Sequence, residues 1–466
     1  MAAAAVEAED AVVPHPVTAA LTLMLAQLGE ATADALAGVD DDARDTTEAD
    51  LVDQVGLFER LRGAVAAAQA AAMVRLARAR VERERGQQRH PGRIGRGLAE
   101  EIGLACHLSP TVAARRLSAA RAWWFVLPRT YTALAAGRLS ERVATAVVTE
   151  TRHLDPTRRR DVDQQLHAGA GPDDPAGGLD LTAMGVRQAV AAAARVAYQA
   201  DPRAYVDRGR TERDDRYVAL RPAPDTMSWL SGYLPVEQGV ACLAALKRHT
   251  DTAVAAGDGR TRGQIMADTL VERLTGQTRA GDVNVEIQLI VPTEARAPHA
   301  EDEPATHASG SGEDGADPGS VDDRSAMLTG YGHLPLGLVR QLLDTSAGAK
   351  HLRVLHTSPE GHLVDISNRR RFTGALADLV LARDQTCREP FCDAPIRHLD
   401  HVRRHTDGGP TTLANGRGLC ARHNLTREQP GWQATLNHDG HGPEPHTVTT
   451  TTPTGHTYTS RAPDPP

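Results

Sequence analysis

The stretch from Cys387 to Glu428, CREPFCDAPIRHLDHVRRHTDGGPTTLANGRGLCARHNLTRE, carries two short-spaced pairs of metal donors. Cys387 and Cys392 are separated by four residues, Cys420 and His423 by two, and 27 residues lie between the pairs. Zinc takes four such donors in a tetrahedron, and a site filled by four protein ligands keeps no position for water. The pattern predicts a structural zinc, whose affinity is folding energy for a segment too small to have a hydrophobic core of its own. The competing reading is three unpaired thiols beside an unrelated histidine.

Between the two pairs lie the residues that can do chemistry. Successive side chains of a strand face opposite ways, but a strand end that bends into a loop lets Asp400 and His401 converge on one point. Gly408, Gly409 and Pro410 predict a turn, and Asn415 closes the loop before a helix that starts near Cys420. A hard cation such as Mg²⁺ wants an oxygen ligand, which Asp400 offers, and keeps positions open for phosphate and water. A neutral histidine can take the proton of an attacking water, and His401 stands beside that ligand. The constellation suits phosphodiester hydrolysis. Arg403, Arg404, Arg417, Arg422 and Arg427 are candidates for phosphate contacts, with a solvated basic face as the alternative. His398, two residues before Asp400, is a candidate supporting partner, and His405 either reaches the site or is a turn residue. The run NRRRF, Asn368 to Phe372, is a weaker candidate for tracking a backbone.

Charge distribution agrees with a nucleic-acid role for this end of the chain. The formal net charge is -8, but Arg296 to Arg324 holds eight acids against two arginines, a net of -6. From Lys350 to Arg427 there are thirteen Lys/Arg against eight Asp/Glu, a net of +5. The basic part is C-terminal. The opening MAAAAVEAEDAVVP lacks a positive n-region, and no uncharged apolar run is long enough to cross a bilayer, so the expectation is a cytoplasmic protein without membrane contact. Cys106 and Cys242, in helical apolar contexts, read as ordinary core residues.

Upstream, abundant alanine and only 3% aromatics favour closely packed helices. LVDQVGLFERLRGAVAAAQAAAMVRLARAR predicts a long helix with Leu51, Val55, Phe58, Leu61, Val65, Ala68, Ala72 and Leu76 on its buried stripe. Ser109 and Pro110 mark a helix start, and this helix with the one before it reads either as a helix-turn-helix or as ordinary all-α packing. RYVALRP and MSWLSGYLP alternate around a turn and predict a hairpin, with VNVEIQLIVP as a third strand of the same sheet, Val283, Val285, Ile287, Leu289 and Val291 inward. VLHTSPEGHLVDIS predicts two short strands, TGALADLVLARD a helix, and HTVTTTTPTGHTYTS a solvent-facing hairpin before a frayed RAPDPP tail. The fold class is α+β. The chain divides into a disordered N-terminus (1–16), a mainly helical domain with a small sheet (17–295), an acidic flexible linker (296–325), a connecting helix and strand region (326–385), the zinc-stabilised module (386–436) and a C-terminal hairpin and tail (437–466).

On LDH (Leu399 to His401), GGPT (Gly408 to Thr411), Asn415 and the LC of Leu419 and Cys420 with His423, the chain resembles the HNH endonucleases, which have the ββα-metal fold. It is similar to bacterial proteins that join an N-terminal domain of unknown function, of the type numbered 222, to a C-terminal HNH module. LSPTVAARRLSAARAW, LAAGRLSERVATAVV and TMSWLSGYLPVEQG carry that second likeness. The resemblance implies a DNA endonuclease with His401 as general base, Asp400 as ligand of a catalytic Mg²⁺ or Mn²⁺, and Asn415 orienting the histidine or pinning the loop. The third catalytic position, normally a histidine ligand, falls on Asn424. An amide oxygen narrows metal choice toward Mg²⁺ or Mn²⁺. The alternative is a weak or inactive zinc-stabilised nucleic-acid-binding protein. The N-terminal helices offer a surface for homo-oligomerisation.

Overall fold

The computed structural model describes residues 16–37, 47–169, 178–225, 227–279, 281–282, 285–292, 325–328, 332–335, 338, 350–357, 371–440 and 444–463. The expected acidic linker, apart from Ser325, lies outside them. So do nearly all of the expected disordered N-terminus, Val283, the second strand of VLHTSPEGHLVDIS, and Asn368 to Arg370 of the arginine run.

The chain is mixed, mainly helical with small sheets. Helix α1 spans Pro16–Ala37, and α2 spans Glu48–Gly86. Thr47 and Asp50 start α2 with a reciprocal capping box. Seven elements follow in close order: α3 Leu98–Ala105, α4 Pro110–Val126, α5 Pro128–Ala135, α6 Glu141–Thr151, α7 Pro156–Leu166, α8 Val186–Ala200 and α9 Pro202–Glu212. Ser109 caps α4 with Pro110 at its first position, as expected. One continuous apolar core joins α2 through α8. Leu117, Ala120 and Trp123 of α4 lie inside it, and the Trp123 Nε1–H donates to the Ala144 carbonyl at 3.1 Å. The pair α3–α4 is thus part of the packed helical layer.

The buried stripe of α2 differs from the expected one. Leu51, Val55, Phe58 and Val65 are exposed, as are Ala68 and Ala72, whereas Gly63, Ala67, Ala70, Met73, Val74, Ala77, Arg80 and Glu84 are buried. The reason is close approach. A Cβ on Gly63 would meet the Leu139 carbonyl oxygen at 2.8 Å, so at that point of contact α2 needs a glycine. The larger apolar residues of its first turns lie beyond that contact.

The hairpin is present as β1 (Tyr217–Pro222) and β2 (Ser228–Tyr233), with Tyr217 opposite Tyr233, and is followed by α10 (Val236–Ala255) and α11 (Arg262–Thr275). The next strand, β3 (Val285–Pro292), does not join it. It pairs antiparallel with β4 (Ser325–Leu328) and parallel with β6 (Lys350–Thr357), while β5 (Gly332–Pro335) extends the sheet beyond β4. Period-two alternation identifies a strand but not its partner, and both edges of β3 are already paired here.

Helix α12 (Ala375–Asp384) leads into the cysteines. Strands β7 (His398–His401) and β8 (Gly416–Leu419) pair antiparallel, and α13 (Ala421–Thr426) follows directly. The C-terminal segment is more than a solvent-facing hairpin. Strand β10 (Thr447–Thr451) lies between β9 (Gln433–His438) and β11 (Thr457–Arg461), with Val448 and Thr450 buried. The start of the expected frayed tail is pinned: Ala462 is buried, and its N–H donates to the His446 carbonyl at 2.8 Å. Among the described residues, no helix is long and apolar enough to cross a membrane.

Candidate metal centre and active site

Cys387 and Cys392 lie in the loop after α12. Cys420 is the N-cap of α13, and His423 sits in that helix's first turn. Their four donor atoms lie within 4.8 Å of one another, and all four residues are buried. His423 Nδ1 is 3.4 Å from the Cys387 sulfur and 3.5 Å from that of Cys420. Four ligands at zinc distances are separated by about 3–4 Å, so the quartet is close to the spacing that a tetrahedral ion takes. The loop is held to β8 by the Arg388 N–H on the Gly418 carbonyl at 2.8 Å, and closed on itself by the Cys387 N–H on Ala394 at 2.9 Å.

The donors of the quartet share their protons. Hydrogen bonding with Cys392 and Cys420 holds the Cys387 thiol far up, while hydrogen bonding with Cys387 first and then Cys392 drives the Cys420 thiol far down. Burial opposes the charged ring of His423, but the Cys392 and Cys420 sulfurs and the nearby Glu389 push its pKa up to about 10. A divalent ion bound by these buried donors displaces the protons they share. The residues fit a metal ion such as zinc.

The hairpin above the quartet presents two different faces. Asp400 is opposite Arg417 and His401 is opposite Gly416, so pairing persists to the last residue of β7 and strand alternation with it. Asp400 and His401 consequently do not converge as expected. His401 is buried, its Nε2 is 2.9 Å from the Thr411 hydroxyl, and its ring lies 4.7 Å from Phe372 and 5.6 Å from His405. Asp400 turns to α13, where its Oδ2 is ion-paired with Arg427, while Oδ1 accepts the His401 N–H at 2.8 Å. Neither Thr411 nor Phe372 was singled out for this role from sequence, although both lie in stretches noted there.

Asn415 pins the loop. Its Oδ1 accepts from the Arg403 N–H at 2.8 Å, and its Nδ2 donates to the carbonyls of Arg403 at 3.0 Å and Pro410 at 2.8 Å. The turn needs Gly409, since a Cβ there would lie 2.0 Å from the Arg403 oxygen. Asn424 is half-buried on α13, with its backbone N–H on Cys420 at 3.0 Å.

The five arginines separate by burial. Arg417 is 1% exposed and faces Glu389 at 3.5 Å. Arg427 is 9% exposed and donates to the carbonyls of His401 and Val402 as well as to Asp400. These two are internal, which corrects their reading as phosphate contacts. Arg404 pairs with Glu428 at 2.9 Å, Arg422 pairs with Glu100 of α3, and Arg403 is exposed. His398 is exposed too.

Glu100 belongs to a seam that sequence reasoning missed. The Thr454 hydroxyl donates to Glu101, which also pairs with the buried Arg80. Arg89 donates to Gln429 at 2.6 Å, and the rings of His107 and Phe391 stack at 4.0 Å. Gly97, at φ +84°, leaves room for Trp432, whose Nε1 would stand 2.8 Å from a Cβ placed there. The pair EE in LAEEIGLA, two acids inside an apolar helix, is the signal that could have found this seam.

The profile of the Domain of unknown function (DUF222) family matches residues 57–384, ending three residues before Cys387. Among curated proteins, the chain is similar to the Uncharacterized protein Rv3776 of Mycobacterium tuberculosis, with 31% identity over 146 residues. That match spans 30% of this chain and 25% of the relative. Uncharacterized proteins Rv2100 and MT2160, from two strains of the same species, are each 31% identical over 173 residues, 36% of this chain and 26% of theirs. The chain thus covers about a quarter of the length of these relatives. No solved structure matches it.

Proposed function

Because the chain belongs to the DUF222 family and carries a metal-ready module beyond the matched span, we propose that it is an HNH-type endonuclease acting on DNA in the cytoplasm. The observation that carries this reading is the order β7–β8–α13 with the Cys387, Cys392, Cys420 and His423 quartet at the root of the helix and His401 at the end of the first strand. Zinc in the quartet would fix α13 against the hairpin, and the hairpin in turn holds His401. Thr411 sets the tilt of the imidazole through Nε2, and Phe372 limits its rotation. A histidine so held is suited to take a proton from water near neutral pH.

A catalytic Mg²⁺ or Mn²⁺ would supply Lewis acidity at the scissile phosphate. Asp400 does not fit such an ion in this arrangement, because the Arg427 guanidinium already neutralises its carboxylate. That observation favours a second reading, a weak or inactive zinc-stabilised nucleic-acid-binding protein.

Supercoiled plasmid with Mg²⁺ or Mn²⁺ separates the two. The endonuclease nicks it, His401→Ala loses about 10² or more in rate, and Thr411→Val falls between. Equal cutting by wild type and His401→Ala would remove the base assignment. Under the second reading the parent is silent, and Asn424→His together with Arg427→Met creates activity. Oligomerisation through the N-terminal helices belongs to the same proposal. Leu21, Leu25, Val52, Val55 and Phe58 of α1 and α2 are exposed, and a monomer by light scattering would dismiss it.

A further inference from the structure

A cleft of about 940 Å³ lies between the helical layer and the outer face of α13. Arg422, Leu425 and Gln429, at helical spacing, form the wall on the α13 side. The opposite wall comes from the turn at Gly95 to Gly97, from α4 and from the ends of α6 and α7. Leu98, Leu117, Val126 and Val148 line it with apolar surface.

Its charge is one-sided. Arg96, Arg121, Arg152, Arg159 and Arg422 line it, against Glu100 and Glu428. Arg422 is spent on Glu100, Arg152 on Glu212, and Glu428 on Arg404. Arg96, Arg121 and Arg159 have no acidic partner among the described residues. Arg159 lines the cleft as well, and its buried Nε and Nη2 make no hydrogen bond among the described residues. A guanidinium has five donors and keeps its charge, so buried N–H groups without acceptors call for an anion. Burial also lowers the Arg159 pKa.

We propose that this cleft binds a single strand of nucleic acid, with Arg96, Arg121 and Arg159 on backbone phosphates and the apolar wall against sugars and bases. The proposal rests on the nucleic-acid reading above and assigns substrate binding to the DUF222 helices. Three unpaired cations drawn from three separate elements suit a repeating anion better than one small ion. A cleft with arginines along it and an apolar wall opposite matches the form of site that holds a single strand, phosphates on the cations and bases against apolar surface.

The test is fluorescence anisotropy of zinc-loaded, full-length protein with a labelled single-stranded oligonucleotide, without Mg²⁺ or Mn²⁺ so that the probe stays intact. Arg96→Ala and Arg121→Ala remove exposed side chains and leave the fold alone. Each is expected to weaken binding several-fold and to lower the salt dependence by about one phosphate. Arg159→Gln, checked by its melting curve, is expected to weaken it further. Binding by the wild type that is unchanged in the Arg96→Ala/Arg121→Ala double variant overturns the cleft and leaves the endonuclease reading standing. Equal displacement of the strand by polyglutamate overturns the ligand class. A wild type that binds no nucleic acid of any form ends both proposals.

Discussion

Glu100 and Arg422, 322 positions apart in sequence, form an ion pair that joins α3 of the helical domain to the helix that closes the metal quartet. Glu100 is the buried partner and Arg422 the half-exposed one. Removing the arginine leaves a buried carboxylate without its counter-charge, whereas removing both leaves nothing uncompensated. Arg422→Ala is expected to cost about 1–2 kcal/mol in urea unfolding, discounted for the exposure of the guanidinium. Adding Glu100→Gln should restore part of the loss. Strictly additive losses in this cycle would mean that the pair is not a coupling between domains.

Metal removal should act on one end of the molecule. The quartet supplies what the small clusters around it lack, since only Leu419 and the cysteines themselves form the buried group at its centre. One zinc per chain is expected by atomic absorption. Cys420→Ser should abolish it, with proteolysis then starting between residues 386 and 440. The core from α2 to α8 holds no metal donor cluster among its described residues and should keep its helical circular dichroism. Full helical unfolding on chelation would show instead that the seam carries the helical layer.

How much of this was legible beforehand depended on the range of the interaction. Cys420 and His423 are three residues apart on one helical turn, so their spacing alone implied a shared ligand. Ser109 with Pro110 declared the start of α4 for the same local reason. The stripe on α2 is not legible because Leu51, Val55 and Phe58 carry the stronger apolar period, while packing against the Leu139 carbonyl is allowed only by Gly63. Arg417 and Arg427 read as surface cations because a sequence carries no record of which arginine meets an acid inside. Strand β3 was recognised as a strand but given the wrong neighbours, and β6, its parallel partner, begins 58 positions after the end of β3. The EE pair of α3 acquired meaning only when Arg422 and Thr454 met it.

Acid should weaken the C-terminal sheet through His446. Its Nε2 donates to the Ala414 carbonyl at 2.8 Å, and its Nδ1 has no hydrogen-bond partner among the described residues. Burial first, and then Arg383, hold its pKa down to about 4, against 6.5 for an unperturbed histidine. The native state therefore binds fewer protons than the unfolded chain between those values. The stabilisation is complete above pH 6.5 and is lost as the pH falls toward about 4, by about 3 kcal/mol in all. Denaturation curves from pH 7.5 to 4.5 should show this decline, and His446→Gln, which keeps a donor for Ala414, should flatten it. An equally steep decline in the variant would place the titration elsewhere.

Arg427 decides what Asp400 can do. The guanidinium ties Asp400 to the carbonyls of His401 and Val402, so it braces the end of β7 against α13 while neutralising the carboxylate next to His401 in sequence. Both effects come from a single side chain, and they should separate on substitution. Arg427→Met keeps the apolar stem but leaves Asp400 and two carbonyls without a donor, at an expected cost of about 3 kcal/mol. The same change frees the carboxylate, and Mn²⁺ should then bind more tightly than to the parent in calorimetry with the zinc site filled. Asp400→Asn/Arg427→Met should regain stability and lose that binding. If Arg427→Met is destabilised but takes up Mn²⁺ no better than wild type, Asp400 is a structural residue, and the module is a nucleic-acid binder rather than a nuclease.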